Sequence, residues 1–255
     1  MDLRLILEFA KRDFTEQYAG SVMGMAWAFV LPLVQVFIYI VIFAEIMGAK
    51  LPGISNTYGY GIYLVCGILV WTTFSNIISR MTTIFIEKKH LITKVNIALP
   101  TFGFFLLISE TVKFIVIFLI FIIFLVFSGH PINYNLLYLP FIFVIQQIFA
   151  YSLGFLFAIL TVFIKDIQEL VKVLLQFWFW FTPIVYTISI LPVKVQELLD
   201  YNPIYIIIKQ YHEVIVYSNV PNFKEMIIMT LMSHLLFYIS FVLFKKLEKD
   251  IRDFI

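Results

Sequence analysis

From Trp27 onward the chain is a succession of apolar runs, broken by short charged or proline-bearing segments. A run of about twenty apolar residues is the length at which a helix crosses a bilayer core. Six such runs are placed, at residues 27–47, 60–81, 102–127, 136–164, 170–191 and 225–244. The third is the clearest, since FIVIFLIFIIFLVFSG carries no charge after Lys113. Ahead of the first run the pattern changes. Leu3, Ile6, Leu7, Ala10, Phe14 and Tyr18 recur at spacings of three and four, with Arg4, Glu8, Lys11 and Arg12 on the other side. Such a helix lies in the membrane interface rather than crossing it. Leu5 and Phe9 interrupt its polar side, either as an irregularity or as a contact for a second protein.

Two connecting segments carry a pattern of their own. Residues 86–100, IEKKHLITKVNIALP, begin charged, place Leu91, Ile92, Val95 and Ile97 as apolar positions, and end at a proline. This reads as a short amphipathic helix between the second and third spans, or as a solvated linker. Residues 192–217 are too apolar for a simple loop. LPVKVQELL suggests a short helix from Pro192, and a second helix restarts with Asn202 as N-cap and Pro203 at its first position. Neither piece is long enough to span, so the two are expected to dip into the outer leaflet as a hairpin.

Composition supports a membrane setting. The 255 residues are 62% hydrophobic and 13% charged, where soluble domains average about 45–50% apolar and about 25% charged. Lysines and arginines near the span ends set the orientation. Arg4, Lys11, Arg12, Arg80, Lys88, Lys89, Lys94, Lys165, Lys172, Lys245, Lys246, Lys249 and Arg252 collect on one side, against Lys50, Lys194, Lys209 and Lys224 on the other. The basic side is cytoplasmic, and both termini lie there, as an even number of spans requires. The expected fold is an all-α polytopic membrane protein. It has six transmembrane helices, an N-terminal amphipathic interface helix (1–24), a short cytoplasmic coupling helix (86–100) and an outer-leaflet re-entrant helical hairpin (192–217). All belong to one domain, 1–255.

Little in the chain suggests its own chemistry. The N-terminus has no cleavable signal pattern, and the basic residues are scattered rather than clustered as nucleic acid requires. Cys66 is the sole cysteine, so no internal disulfide forms. There is no G-x-x-x-x-G-K-[ST] phosphate loop and no G-x-S-x-G. His90, His130, His212 and His234 are far apart and form no metal-ligand pattern, so no metal and no catalytic residue is expected. Glu110 and Lys113 are ionisable within the third span, three residues apart, and suit a self-neutralising pair. Lys165, Asp166 and Glu169 sit in the short turn between spans four and five, where they suit docking or simple anchoring. In FWFWFTPIVY the aromatics lie near mid-membrane, at the wrong depth for an interfacial belt, and Pro183 permits a bend. They pack against lipid or line a conduit.

Four segments, in order, resemble a known family. RDFTEQYAGSVMGMAWAFVLPL, KKHLITKVNIALPTF, FIKDIQELVKVLLQFWFWFTPIVYTISILP and YNPIYIIIKQYHEVI look like the transmembrane subunit of ABC-2-type exporters, specifically the Wzm-type permeases for O-antigen and related polysaccharides. Asn96, Met23 and Met25 depart from common family residues. The resemblance implies a homodimer in the bacterial inner membrane, with two copies of a nucleotide-binding ATPase subunit on the cytoplasmic side. ATP and Mg would be held by that partner and no cofactor by this chain. A polysaccharide attached to a polyprenyl-diphosphate lipid would be secreted through a conduit at the dimer interface. Carried onto this sequence, the conduit candidates are Tyr39, Phe43, Trp178, Trp180 and Phe181. The ATPase-coupling candidates are Arg12, Asp13, Glu87, Lys88, Lys89, His90, Leu91, Lys165 and Asp166. The periplasmic gate candidates are Pro192, Asn202, Pro203, Tyr205 and Tyr211. Capsule, teichoic-acid, drug and lipid export remain open within the class. A membrane-embedded lipid-linked sugar transferase would need clustered carboxylates or Arg/His at one membrane face, whereas the acidic residues here are dispersed. A secondary transporter would show inverted repeats.

Overall fold

The computed structural model describes residues 3–18, 20–40, 42, 58–94 and 97–255, and it is helical throughout, with no strand among them. The helices are α1 (Leu3–Glu16), α2 (Trp27–Ile40), α3 (Gly59–Glu87), α4 (Lys89–Lys94), α5 (Pro100–Phe127), α6 (Leu139–Phe163), α7 (Ile167–Trp180), α8 (Val193–Leu199), α9 (Pro203–Ile215) and α10 (Phe223–Phe254). Four stretches are long and apolar enough to cross a membrane: α3, α5, α10, and α6 with the 3-10 turn that leads into it, Tyr134–Phe163. They correspond to the second, third, fourth and sixth expected spans.

The core is built around α3, which packs against α2, α5, α6, α7 and α9. Its buried positions include Ile62, Leu64, Phe74, Ile77, Ile78 and Met81. The outward faces are apolar too. Val112, Ile115, Leu119, Ile123 and Val126 form an exposed stripe on α5, and Ile227, Leu231, Leu235 and Val242 do so on α10. Contiguous apolar surface of this extent suits lipid, not water. Inside, polar side chains join helices. Tyr211 donates to the Gln146 side-chain oxygen at 2.9 Å, and Gln146 donates to the Val70 carbonyl at 3.1 Å.

Several elements differ from expectation. α1 ends at Glu16, not near residue 24, and Gly20 and Gly24 follow it with φ of 85° and 52°, conformations that favour glycine and stop a helix. Its packed face is also rotated. Ile6, Ala10 and Asp13 are buried and Phe9 meets Phe105 at 5.8 Å, while Leu7 is exposed. Phe9 thus belongs to the contact face rather than spoiling the polar one. α3 and α10 run past their apolar cores to Glu87 and Phe254. The fifth expected span stops as a helix at Trp180, after 14 residues. Pro183 has no N–H to continue the ladder, and carbonyls of the non-helical stretch from Pro183 onward are met from α3. Tyr60 donates to Val185 O, and Tyr63 donates to Pro183 O at 3.1 Å and Tyr186 O at 3.3 Å. α8 and α9 begin where expected, with Pro192 at the cap of one and Asn202 at the cap of the other.

Candidate functional site

Charged groups gather where α1 crosses α3 and α5. The Arg80 guanidinium donates to both oxygens of Asp13, at 2.7 and 2.8 Å, and to Glu110. Lys113 reaches Glu110 at 2.7 Å and the Gln17 side-chain oxygen at 2.6 Å, and Gln17 donates back to Asp13 at 3.0 Å. Asp13 and Glu110 are buried. Two carboxylates and two cations therefore neutralise one another with their hydrogen-bonding capacity largely filled, which is what burial of charge demands. The expected Glu110–Lys113 pair is present as half of this larger cluster. Asp13, one of the coupling candidates, is buried and points inward at Arg80, because its position on α1 faces the bundle.

The remaining coupling candidates lie at the same end of the molecule. Arg12 is exposed and bonds Glu16 at 2.5 Å, and Glu16 also accepts from Lys88 at 3.1 Å. The bond from Arg12, with help from Lys88, holds the Glu16 carboxyl below the usual carboxylate range against partial burial. Lys88 thereby ties the end of α3 to α1. Glu87, Lys89 and His90 are exposed, Leu91 is half-buried over buried Ile92, and Lys165 and Asp166 are exposed in the α6–α7 turn. Arg252 of α10 donates to Ile97 O at 3.0 Å, bracing the chain just after α4.

At the other end the conduit and gate candidates interlock. The Trp178 indole donates to the Asn202 side-chain oxygen at 2.8 Å, and Asn202 donates to Thr182 Oγ1 at 3.1 Å. The Asn202 oxygen also accepts the Tyr205 backbone N–H at 3.4 Å, which caps α9 with Pro203 in its first turn. Trp178 lies edge-on to Phe74 at 5.5 Å and to Trp71 at 6.5 Å. Trp178 is thus a clasp between α3, α7 and α9, whereas Trp180 and Phe181 are exposed. Tyr205 and Tyr211 are buried and anchor α9. α9 meets α3 closely: His212 stacks on Tyr63 at 3.8 Å and its Nε2 lies 3.0 Å from the Tyr63 carbonyl oxygen. Tyr39's side chain and the whole of Phe43 lie outside the described residues.

Arg80, Tyr60, Tyr63 and Gln146 were missed by sequence reasoning. Arg80 could have been found, since a charge within the second span needs a partner; its count toward orientation obscured it. Among the described residues no group of three His, Cys, Asp or Glu is placed to hold a metal.

The chain is thus a helical membrane domain whose buried carboxylates Asp13 and Glu110 are paired with Arg80 and Lys113. The ABC-2 type transporter family matches residues 4–216, and the chain belongs to that family. It is 24% identical over 245 residues to the O-antigen export system permease protein RfbA of Klebsiella pneumoniae, covering 96% of this chain and 92% of that one. It is 20% identical over 251 residues to the O-antigen export system permease protein RfbA of Myxococcus xanthus, covering 98% and 94%.

Proposed function

We propose that this chain is the membrane-spanning, conduit-forming subunit of an ATP-driven exporter of polysaccharide, the polymer being carried on a polyprenyl-diphosphate lipid. The observation that carries the reading is similarity along nearly the whole chain to permeases named for O-antigen export. Two chains pair in the bacterial inner membrane, with both termini cytoplasmic. α2 belongs to the first of six spans, and α7 with the turn after it to the fifth. α1 lies along the cytoplasmic interface. α4 and the 164–166 turn face two copies of a separate ATPase subunit, which binds ATP and Mg. α8 and α9 form a re-entrant hairpin on the periplasmic side, clasped to α7 through Trp178 and Asn202. ATP-driven motion enters at α1 and α4 and travels along α3, which touches both the ion cluster and the hairpin.

The test is affinity purification of the tagged chain from gently solubilised native membranes. Co-purification of a phosphate-loop ATPase in stoichiometric amount is expected. Its absence from repeated preparations of folded chain would overturn the reading.

A further inference from the structure

α10 runs well past the membrane thickness that its apolar part would fill. It has 32 residues, where about 20 cross a bilayer core as a helix. The overhang KKLEKDIRDF, residues 245–254, adds about 15 Å at the helical rise. A helix end that projects into water frays unless something ties it down. This one is tied. Ile251 is fully buried, although Lys249, Asp250 and Asp253 around it are exposed.

Two contacts show what the overhang holds. The Arg252 guanidinium donates to the Ile97 carbonyl at 3.0 Å, shortly beyond the end of α4. The start of α5 offers that carbonyl no donor. Pro100 has no N–H, and the Thr101 N–H goes to Ala98 O at 2.9 Å. Glu248, one turn back on α10, lies 3.6 Å from the guanidinium and pairs with it. Phe254 meets Phe163 edge-on, with ring centroids 5.2 Å apart. Phe163 is the last residue of α6, next to the 164–166 turn. Residues 252 and 254 are about 200° apart around a helix, so the two contacts leave it on opposite sides.

Those two sides carry the segments that face the ATPase in the export reading. Each is weak alone. α4 has six residues, too few to stand as a helix by itself. The turn exposes Ile164, Lys165 and Asp166. A push on either would be lost in local bending unless something rigid stood behind it. α10 is such a backing, since it is seated on α6 through Phe155 and Phe244, 5.4 Å apart. Arg252 reaches α4's end of the chain by a charge-assisted bond, and Phe254 reaches the turn by its ring. We propose that the overhang of α10 is a wedge that makes α4 and the 164–166 turn move together, with Arg252 as its positioning residue. This deepens the export reading and rests on it.

The test uses the full chain. Cys66 is the sole cysteine, so Cys66→Ala gives a thiol-free parent. Thr93→Cys on α4 and Ile164→Cys in the turn are exposed positions and carry nitroxide labels. The labelled chain is diluted into unlabelled chain in nanodiscs, so that each measured pair lies within one subunit, and the ATPase is then bound. Double electron–electron resonance reads the distribution of distances between the labels. Arg252→Met keeps the stem and loses the donor, and should broaden the distribution on the order of twofold. Arg252→Lys can still donate to the Ile97 carbonyl and should narrow it again. Phe254→Ala should broaden it from the other side, and Phe254 is exposed, so the fold survives its loss. In native membranes, polymer secreted per ATP should fall severalfold in Arg252→Met and recover in Arg252→Lys. Widths unchanged in both Arg252→Met and Phe254→Ala overturn the proposal, as does a broadened distribution with secretion per ATP unchanged. A folded parent that binds no ATPase and secretes no polysaccharide fails the export reading itself, whereas a secreting parent with unmoved widths in its variants fails the wedge alone.

Discussion

Arg80 is a single side chain on which two helices depend. It satisfies Asp13 of α1 and Glu110 of α5 at once, and both carboxylates are buried. Removing it leaves two anions competing for Lys113. Breaking a buried pair of this kind costs about 3–5 kcal/mol. Arg80→Ala should therefore lower the thermal midpoint of the purified chain in detergent and leave α1 open to protease. Arg80→Lys should recover part of the loss, because one ammonium cannot span both carboxylates as the planar guanidinium does. A midpoint unchanged in Arg80→Ala would mean that α1 is seated by its apolar contacts alone. Trp178 and Trp180, two residues apart, should behave differently. Trp178→Phe keeps the ring against Phe74 but loses the donor to Asn202, at a cost of about 1 kcal/mol. Trp180 is exposed, so Trp180→Ala should leave the melting midpoint within error. A fall in polymer secretion in that variant would then report the conduit directly, whereas a large loss of stability would place Trp180 in packing that the structure does not show.

Between elements, glycine makes a close approach of α6 to α3 possible. A Cβ on Gly154 of α6 would stand 2.8 Å from Met81 Cβ and 3.3 Å from Ile78 Cα, so α3 itself would have to shift. Gly154→Ala should destabilise by about 1–3 kcal/mol, as overpacked cores do. Met81→Ala alone should also destabilise by leaving a cavity. Together the two should cost less than the sum of the singles, which thermal midpoints of the four proteins would measure. Such proximity is invisible in a single sequence. The apolar runs located the helices that became α3, α5, α6 and α10, because hydrocarbon thickness writes their length into composition. The same signal gave α5 and α6 nearly whole but stopped short of the C-terminal ends of α3 and α10. α10 continues over KKLEKDIRDF to Phe254, since charged residues with good helix propensity extend a helix beyond the membrane that defines its apolar part. Local chemistry was legible where it was self-contained, as with Asn202 and Pro203 at the start of α9. It was not legible where a partner decided it. The packed face of α1 keeps Ile6 and Ala10 of its periodic stripe but is turned to include Phe9 by Phe102 and Phe105 of α5, and the Trp178 indole N–H is met by Asn202, 24 residues away.

At the scale of the molecule, α1 is seated on the core by apolar contacts and the ion cluster, and it is tied to the end of α3 as well. Glu16 of α1 bonds Lys88 at the end of α3, which links α1 to the segment that enters α4. It joins the two elements proposed to receive force from the ATPase, while the ion cluster holds α1 to the interior. If α1 and α4 move as one body, cutting this link should separate ATP hydrolysis from export. Glu16→Lys sets two ammonium groups against each other and leaves the buried cluster intact. The complex is expected to assemble and hydrolyse ATP at a near-parental rate, with polymer secreted per ATP reduced severalfold. Lys88→Glu in the same chain reverses the pair and should restore the ratio. That restoration separates a broken link from general damage to the surface, since two charge changes would otherwise do more harm than one. The Glu16 carboxyl is held below the usual range by Arg12 and Lys88. Its contribution is therefore complete above the ordinary carboxylate pKa and fades only as the pH falls through the lowered value. The effect of Glu16→Lys should accordingly be full at neutral pH. If secretion per ATP is unchanged in Glu16→Lys, α1 and α4 are driven independently, and the ion cluster around Arg80 becomes the remaining route by which motion of α1 reaches α3.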